Sequence, residues 1–142
     1  NLNGDVVGIN SSIASTGSDG SSQAGNIGIG FAIPADVAVR VASQLIQTGS
    51  YTNAALGVSV GGQDSTAVST DGVTLQSVTA DGAAAKAGLK EGDQVTRIND
   101  FATTDADGLI AATRYYAPGT EVKVTYNRDG QSHTVEVTLG SA

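Results

Sequence analysis

Serine, histidine and aspartate together make the machinery of acyl transfer, so their placement bears first on what chemistry this chain could do. A triad needs an imidazole to take the serine proton and a carboxylate to orient that imidazole. The chain has one histidine, His133, and no cysteine. His133 follows the Arg128-Asp129-Gly130 turn on an alternating stretch, which reads as a partly exposed strand histidine. Ser11 and Ser12 lie in no Gly-x-Ser-x-Gly setting and read as loop hydroxyls. One imidazole and no thiol leave no multi-His or Cys-based zinc set, so neither metal nor cofactor is expected. Asp105 and Asp107 stand close together, but at the start of a helix such carboxylates ordinarily cap and offset the dipole.

The elements that would carry these residues come from composition and pattern. The 142 residues hold 19 glycines, 7 basic and 14 acidic side chains, for a net charge of -7. That acidity argues against nucleic acid and anionic membranes, which call for basic patches. No apolar run approaches the roughly 18 residues of a spanning helix. Only four charges (Asp5, Asp19, Asp36, Arg40) fall in residues 1–50, so the front third reads as a piece of something larger.

Asn3-Gly4 is a type I′ hairpin signal whose preceding strand is missing from the chain. Residues 5–10 read as a strand, 11–25 as a Ser/Gly-rich mobile loop, and 27–33 as a buried strand. Pro34 opens a helix to about residue 48, with Val37, Val41 and Leu45 on one face and Gly49 as its stop. Further strands are expected at 56–60, 72–78 and 94–98, a polar loop at 61–70, and a short helix at 83–87. Thr104 or Asp105 can cap a helix to about Tyr115, and one ring of Tyr115-Tyr116 is expected under the Pro118-Gly119 turn. Alternation at Val122, Val124, Tyr126 and at Val135, Val137, Leu139 predicts a C-terminal hairpin. The fold class is α+β.

Gly72-Val73, Val78, Ala83 to Asp93 with its Ala-Gly-Leu and Gly-Asp steps, Val95 and Ile98-Asn99 fall at the spacing of a PDZ domain of the bacterial protease-associated type. Residues 52–140 resemble that family. The resemblance implies a partly open β-barrel or sandwich capped by two helices. Asn99-Asp100-Phe101 departs from the family's Asn-Gly, so a more strained turn is expected there. Residues 2–10 and 26–34 resemble the end of the trypsin-like domain of HtrA/DegP-family serine proteases, just past the serine motif. The resemblance therefore divides the chain into a protease-domain remnant at 1–50 and a PDZ domain at 51–142.

By this resemblance, Ala55, Leu56, Gly57 and Val58 form a loop that binds a peptide carboxylate through backbone N–H groups. Val60, Ile110 and Thr113 are the candidates for the peptide groove and Leu109 the candidate for the core; the sequence leaves open which face of this helix lines the groove. Ile27, Ile29 and Phe31 match the wall of the protease S1 pocket, which does not exist without the rest of the barrel. The implied function is a regulatory module of an HtrA-like endopeptidase in protein quality control. It would take C-terminal or extended peptides of substrate proteins and act on the parent protease domain. The alternative is an assembly module that needs no free carboxylate. A strand cut from its barrel could stay mobile or pair through its free edge with the PDZ domain or a second copy. The parent is expected to be extracytoplasmic, exported or membrane-anchored; the fragment itself is expected to be soluble and, lacking the triad, not an enzyme.

Overall fold

The computed structural model describes residues 1–16, 25–61 and 72–142. It divides into two compact units, Asn1–Tyr51 and Thr52–Ala142. The expected loops at 17–24 and 62–70 lie outside the described residues.

In the first unit, β1 (Gly8–Thr16) pairs antiparallel with β2 (Gly25–Pro34), followed by α1 (Ala35–Thr48). The strand expected at 5–10 instead begins at Gly8 and continues through Ser11–Thr16, part of the stretch expected to be a loop. β2 supplies the reason, since it pairs as far as Thr16↔Gly25 and gives those polar residues ladder partners. The opening turn also differs from a type I′ hairpin. The Gly4 N–H donates to the Asn1 carbonyl at 3.1 Å, and the Asn1 Oδ1 accepts from the Asn3 and Asp5 N–H groups. Asn1 thus closes an Asx turn on its own backbone neighbours. α1 starts after Pro34 and ends where Gly49, at φ 72°, donates its N–H to Leu45. The Arg40 guanidinium stands 5.6 Å over the Tyr51 ring. Among the described side chains of this unit none is fully buried, and Ile9, Ile13, Ile29 and Phe31 are exposed.

The second unit carries the core. One open sheet runs in the order β4 (Val58–Val60), β5 (Val73–Val78), β6 (Gln94–Ile98), β8 (Glu121–Arg128), β9 (Gln131–Thr138). The two-residue β7 (Phe101–Ala102) pairs with β6, and β10 (Gly140–Ser141) pairs with β3 (Ala54–Ala55). Alternate residues are buried along β5 (Val73, Leu75) and β8 (Val122, Val124, Tyr126); β6 buries Val95 and Ile98, three apart across a register shift, and β9 buries Val137. Leu56, Ala84, Leu89, Leu109 and Ala112 join that core, from the loop before β4, α2 (Ala83–Lys86), the turn after it, and α3 (Ala106–Tyr115).

The β8–β9 hairpin turns at Asp129 and Gly130, both at positive φ, as a type I′ connection requires. The Asn99-Asp100 turn carries its positive φ on Asn99, a residue tolerant of it, and not on Asp100. Asn99 Oδ1 accepts from Lys123 N–H at 2.8 Å, so the absence of glycine there costs little. Tyr116 packs against the core, and its ring meets Tyr115 and Phe101 in a three-ring cluster.

Asp93 is 1% exposed and bonded on every side. Arg128 Nε and Nη2 donate to its two carboxylate oxygens at 2.7 Å each, and Lys90 N–H donates to it at 2.8 Å. The same guanidinium also bonds the Gly88 carbonyl and sits 5.0 Å over the Tyr126 ring. Burial pushes the Asp93 carboxyl up, but the Arg128 and Lys90 hydrogen bonds outweigh it and hold the group below its ordinary value. A carboxyl held low in the fold stabilises it above the unfolded value near 4, and that contribution fades as pH falls through the folded value. Asp93→Asn is therefore expected to cost about 2 kcal/mol at pH 7 in urea unfolding followed by circular dichroism. The gap from the unsubstituted chain should shrink as pH falls below about 4; a gap constant with pH contradicts the assignment.

Candidate functional site

The stretch Ala55-Leu56-Gly57-Val58 joins β3 to β4. Leu56 is buried and anchors it to the core. The Leu56 carbonyl accepts from Ala84 N–H, and the Gly57 carbonyl accepts from Thr79 N–H, each at 2.9 Å. In a trans peptide the next N–H points opposite its carbonyl. The N–H groups of Gly57 and Val58 are thus turned away from α2 and from the end of β5. Gly57 makes this possible in two ways. Its φ is 76°, a region that suits glycine, and a Cβ there would sit 3.3 Å from the Gly82 Cα.

Among the described residues β4 is an edge of the sheet, with β5 on one side only. Its Val58 and Val60 are half-buried, and Ser59 between them is exposed. The loop thus presents two backbone donors at the head of a strand with an open edge.

α3 runs alongside in a fixed direction. At its start, the Thr103 N–H and hydroxyl bond Thr96 and Val95 of β6, and Asp105 caps the helix by accepting from Gly108 N–H at 2.6 Å. Beyond its end, Gly119 N–H donates to Leu139, next to β10, whose Gly140 pairs with Ala55. The C-terminal end of α3 therefore lies towards the Ala55–Val58 loop, and its start lies towards the middle of the sheet.

Leu109 and Thr113 are buried, while Ile110 is 41% exposed. The Thr113 hydroxyl donates to the Leu109 carbonyl at 2.8 Å, so its polar atom is used within the helix. Tyr115 meets Phe101 of β7 with ring centroids 5.0 Å apart. At 100° per residue, Thr113 lies about 200° round the helix from Tyr115, so Thr113 and Ile110 share the flank turned away from β7.

His133 is exposed on β9 and stacks on Tyr126, with centroids 5.5 Å apart. Ile29 and Phe31 project from β2 and are exposed; Ile27 lies in β2, with its side chain outside the described residues. Asp93 and Arg128, the bidentate pair that holds the Lys90–Asp93 turn, carried no predicted partnership. The one sequence signal was a charged residue placed directly after Gly92, where a buried strand begins.

Among the described residues, an edge strand headed by outward backbone donors leaves this side of the sheet open to a further strand. Residues 54–139 match the PDZ domain family model, and the chain belongs to that family. Along its length it is also similar to HtrA-type serine proteases. It is 46% identical over 144 residues to the serine protease PepD of Mycobacterium tuberculosis, covering all of this chain and 30% of that protein. It is 36% identical over 153 residues to the serine protease Do-like HtrA of Lactococcus lactis, covering all of this chain and 37% of the relative. Among solved structures, the HtrA-type protease AlgW with decapeptide superposes with a TM-score of 0.61 at 28% identity, over 98% of this chain and 43% of that one. The chain thus spans about a third of the length of these curated relatives. Others are named as periplasmic proteases, from Haemophilus influenzae, Rhizobium meliloti and Escherichia coli.

Gly57→Ala tests the loop. The left-handed conformation alone should cost about 1–2 kcal/mol, and the contact with Gly82 adds to it. Thermal unfolding is expected to show a lower midpoint; an unchanged midpoint would mean the loop relaxes to another conformation.

Proposed function

We propose that the Thr52–Ala142 unit binds peptides of protein substrates in the groove between β4 and the Ile110–Thr113 flank of α3. The observation that carries this reading is the inward commitment of the Leu56 and Gly57 carbonyls. It leaves the Gly57 and Val58 N–H groups free to hold a terminal carboxylate without a cationic side chain. Val58 and Val60 then pair with the ligand backbone along the open edge. The Ile110–Thr113 flank favours an aliphatic last residue. That a similar protein, the HtrA-type protease AlgW, was solved with a decapeptide supports a peptide as the ligand class.

By similarity to whole HtrA-type proteases, the unit regulates a serine endopeptidase in protein quality control, outside the cytoplasm. The periplasmic names of several relatives support that location. The first unit belongs with the protease domain in this reading. Exposed Ile29 and Phe31, with Ile27, would face the rest of that domain near its S1 pocket. In this reading the catalytic triad is not carried by these residues; their single histidine, His133, is exposed on β9 and stacks on Tyr126. A fluorophosphonate probe is accordingly expected to leave the chain unlabelled.

The test is calorimetric titration with peptides ending in Val, Leu or Ala, free or amidated at the C-terminus. Free peptides are expected to bind, and amidation should weaken binding at least about tenfold, as loss of a charge-assisted contact implies. Equal binding of both forms would contradict carboxylate capture and favour a module for assembly with other subunits.

A further inference from the structure

The upstream end of the groove carries a side chain with no structural task. β4 and β5 pair as Val58↔Val78 and Ser59↔Ser77, but Val60 then faces Leu75. Gln76 is the extra residue of a β-bulge. Such bulges re-aim side chains, and here Gln76 and Ser77, successive residues, are both exposed. Gln76 is aimed at Gly61, the residue after β4. A Cβ on Gly61 would overlap the Gln76 amide nitrogen and lie 2.9 Å from its Cδ. Gly61 is not at positive φ, so its backbone does not call for glycine, and the Gln76 amide occupies the space a side chain there would take. No hydrogen bond joins the Gln76 amide to any described residue.

The amide therefore stands where a side chain of residue 61 would stand. A peptide whose carboxylate sits on Gly57 and Val58 and which lies along β4 must run antiparallel to it. Its last residue lies beside Val58, the one before beside Ser59, the next beside Val60, and the third before the last beside Gly61. Directly opposed residues bring their Cβ atoms within roughly 5 Å on the same face of a sheet. Because faces alternate, positions 59 and 61 share the outer face, away from α3.

We propose that Gln76, seated over Gly61, is a specificity-determining residue that reads the ligand side chain three residues before the C-terminus and favours an amide there. A primary amide offers a donor and an acceptor, which an Asn or Gln on the ligand reciprocates. The outer face thus selects for polarity at this position, and the inner face selects for apolar side chains at the last residue. The inference rests on the peptide-groove reading above.

Fluorescence anisotropy with the whole chain and labelled hexapeptides tests it. The peptides end in Val and carry Asn, Gln or Ala three residues before it. The parent chain is expected to bind the Asn and Gln peptides about three- to tenfold more tightly than the Ala peptide, as one or two net hydrogen bonds imply. Gln76→Ala should abolish that preference and leave the Ala peptide within about twofold. Gly61→Ala, whose methyl takes the place of the amide, should do the same. A preference that survives Gln76→Ala overturns the proposal. So does the absence of any preference in a parent chain that binds free but not amidated peptides. If no peptide binds in a carboxylate-dependent way, the groove reading fails first and takes this inference with it.

Discussion

The fold of the second unit turns on two peptide carbonyls. Leu56 and Gly57 give theirs to Ala84 and Thr79, which ties the start of β4 to α2 and to the end of β5. The planarity of the peptide does the rest, because a carbonyl drawn inward sends the following N–H outward. The constraint has a steric partner. A methyl group on Gly57 would sit 3.3 Å from the Gly82 Cα, and one on Gly82 would press on the Thr79 carbonyl oxygen at 2.9 Å. The donors at the head of β4 are thus fixed by core packing, with no charged side chain required. An acidic chain can hold a carboxylate on that basis.

The walls around these donors are held from a distance. Asp93 and Arg128, 35 residues apart, clamp the Lys90–Asp93 turn to the end of β8. That turn feeds β5 as well, since Leu75 and the 92–93 backbone exchange hydrogen bonds. β5 carries β4, so the pair supports the edge without touching it. A buried ion pair gains little against an apolar substitute but is costly to break, which suits a role in fixing geometry. α3 is set at both ends by backbone bonds, at Thr103 and at Gly119. Its capping aspartate is spent on Gly108, and its Thr113 hydroxyl on Leu109. These two polar groups are thus used internally, and Ile110 is the exposed apolar side chain on the same flank as Thr113.

Much of this was legible in the residues themselves. Alternation marked β5, β6, β8 and β9, of which β5 and β8 bury alternate residues. Pro34 and Gly49 marked α1, and Asp105 marked the start of α3. What stayed hidden lacks a local signature. Two-residue strands such as β3, β7 and β10 have no period to detect. The continuation of β1 through Ser11–Thr16 depends on β2 for its partners, and serines alone suggest a loop. The Asp93–Arg128 pair joins residues that only the folded sheet brings together. The bulge at Gln76 is a mismatch between two strands, so neither strand shows it alone. The strand at 27–33 reads as buried in the sequence, yet Ile29, Phe31 and Ile33 are exposed, because burial depends on packing partners that an apolar run does not specify.

The most direct test of the central claim is the response of individual amides to a peptide with a free C-terminus. A carboxylate seated on the loop should shift the Gly57 and Val58 amide protons downfield in heteronuclear NMR spectra, as charge-assisted hydrogen bonds form. Those shifts should be absent with the amidated peptide. Shifts confined to other parts of the chain, with Gly57 and Val58 unmoved, would contradict the account.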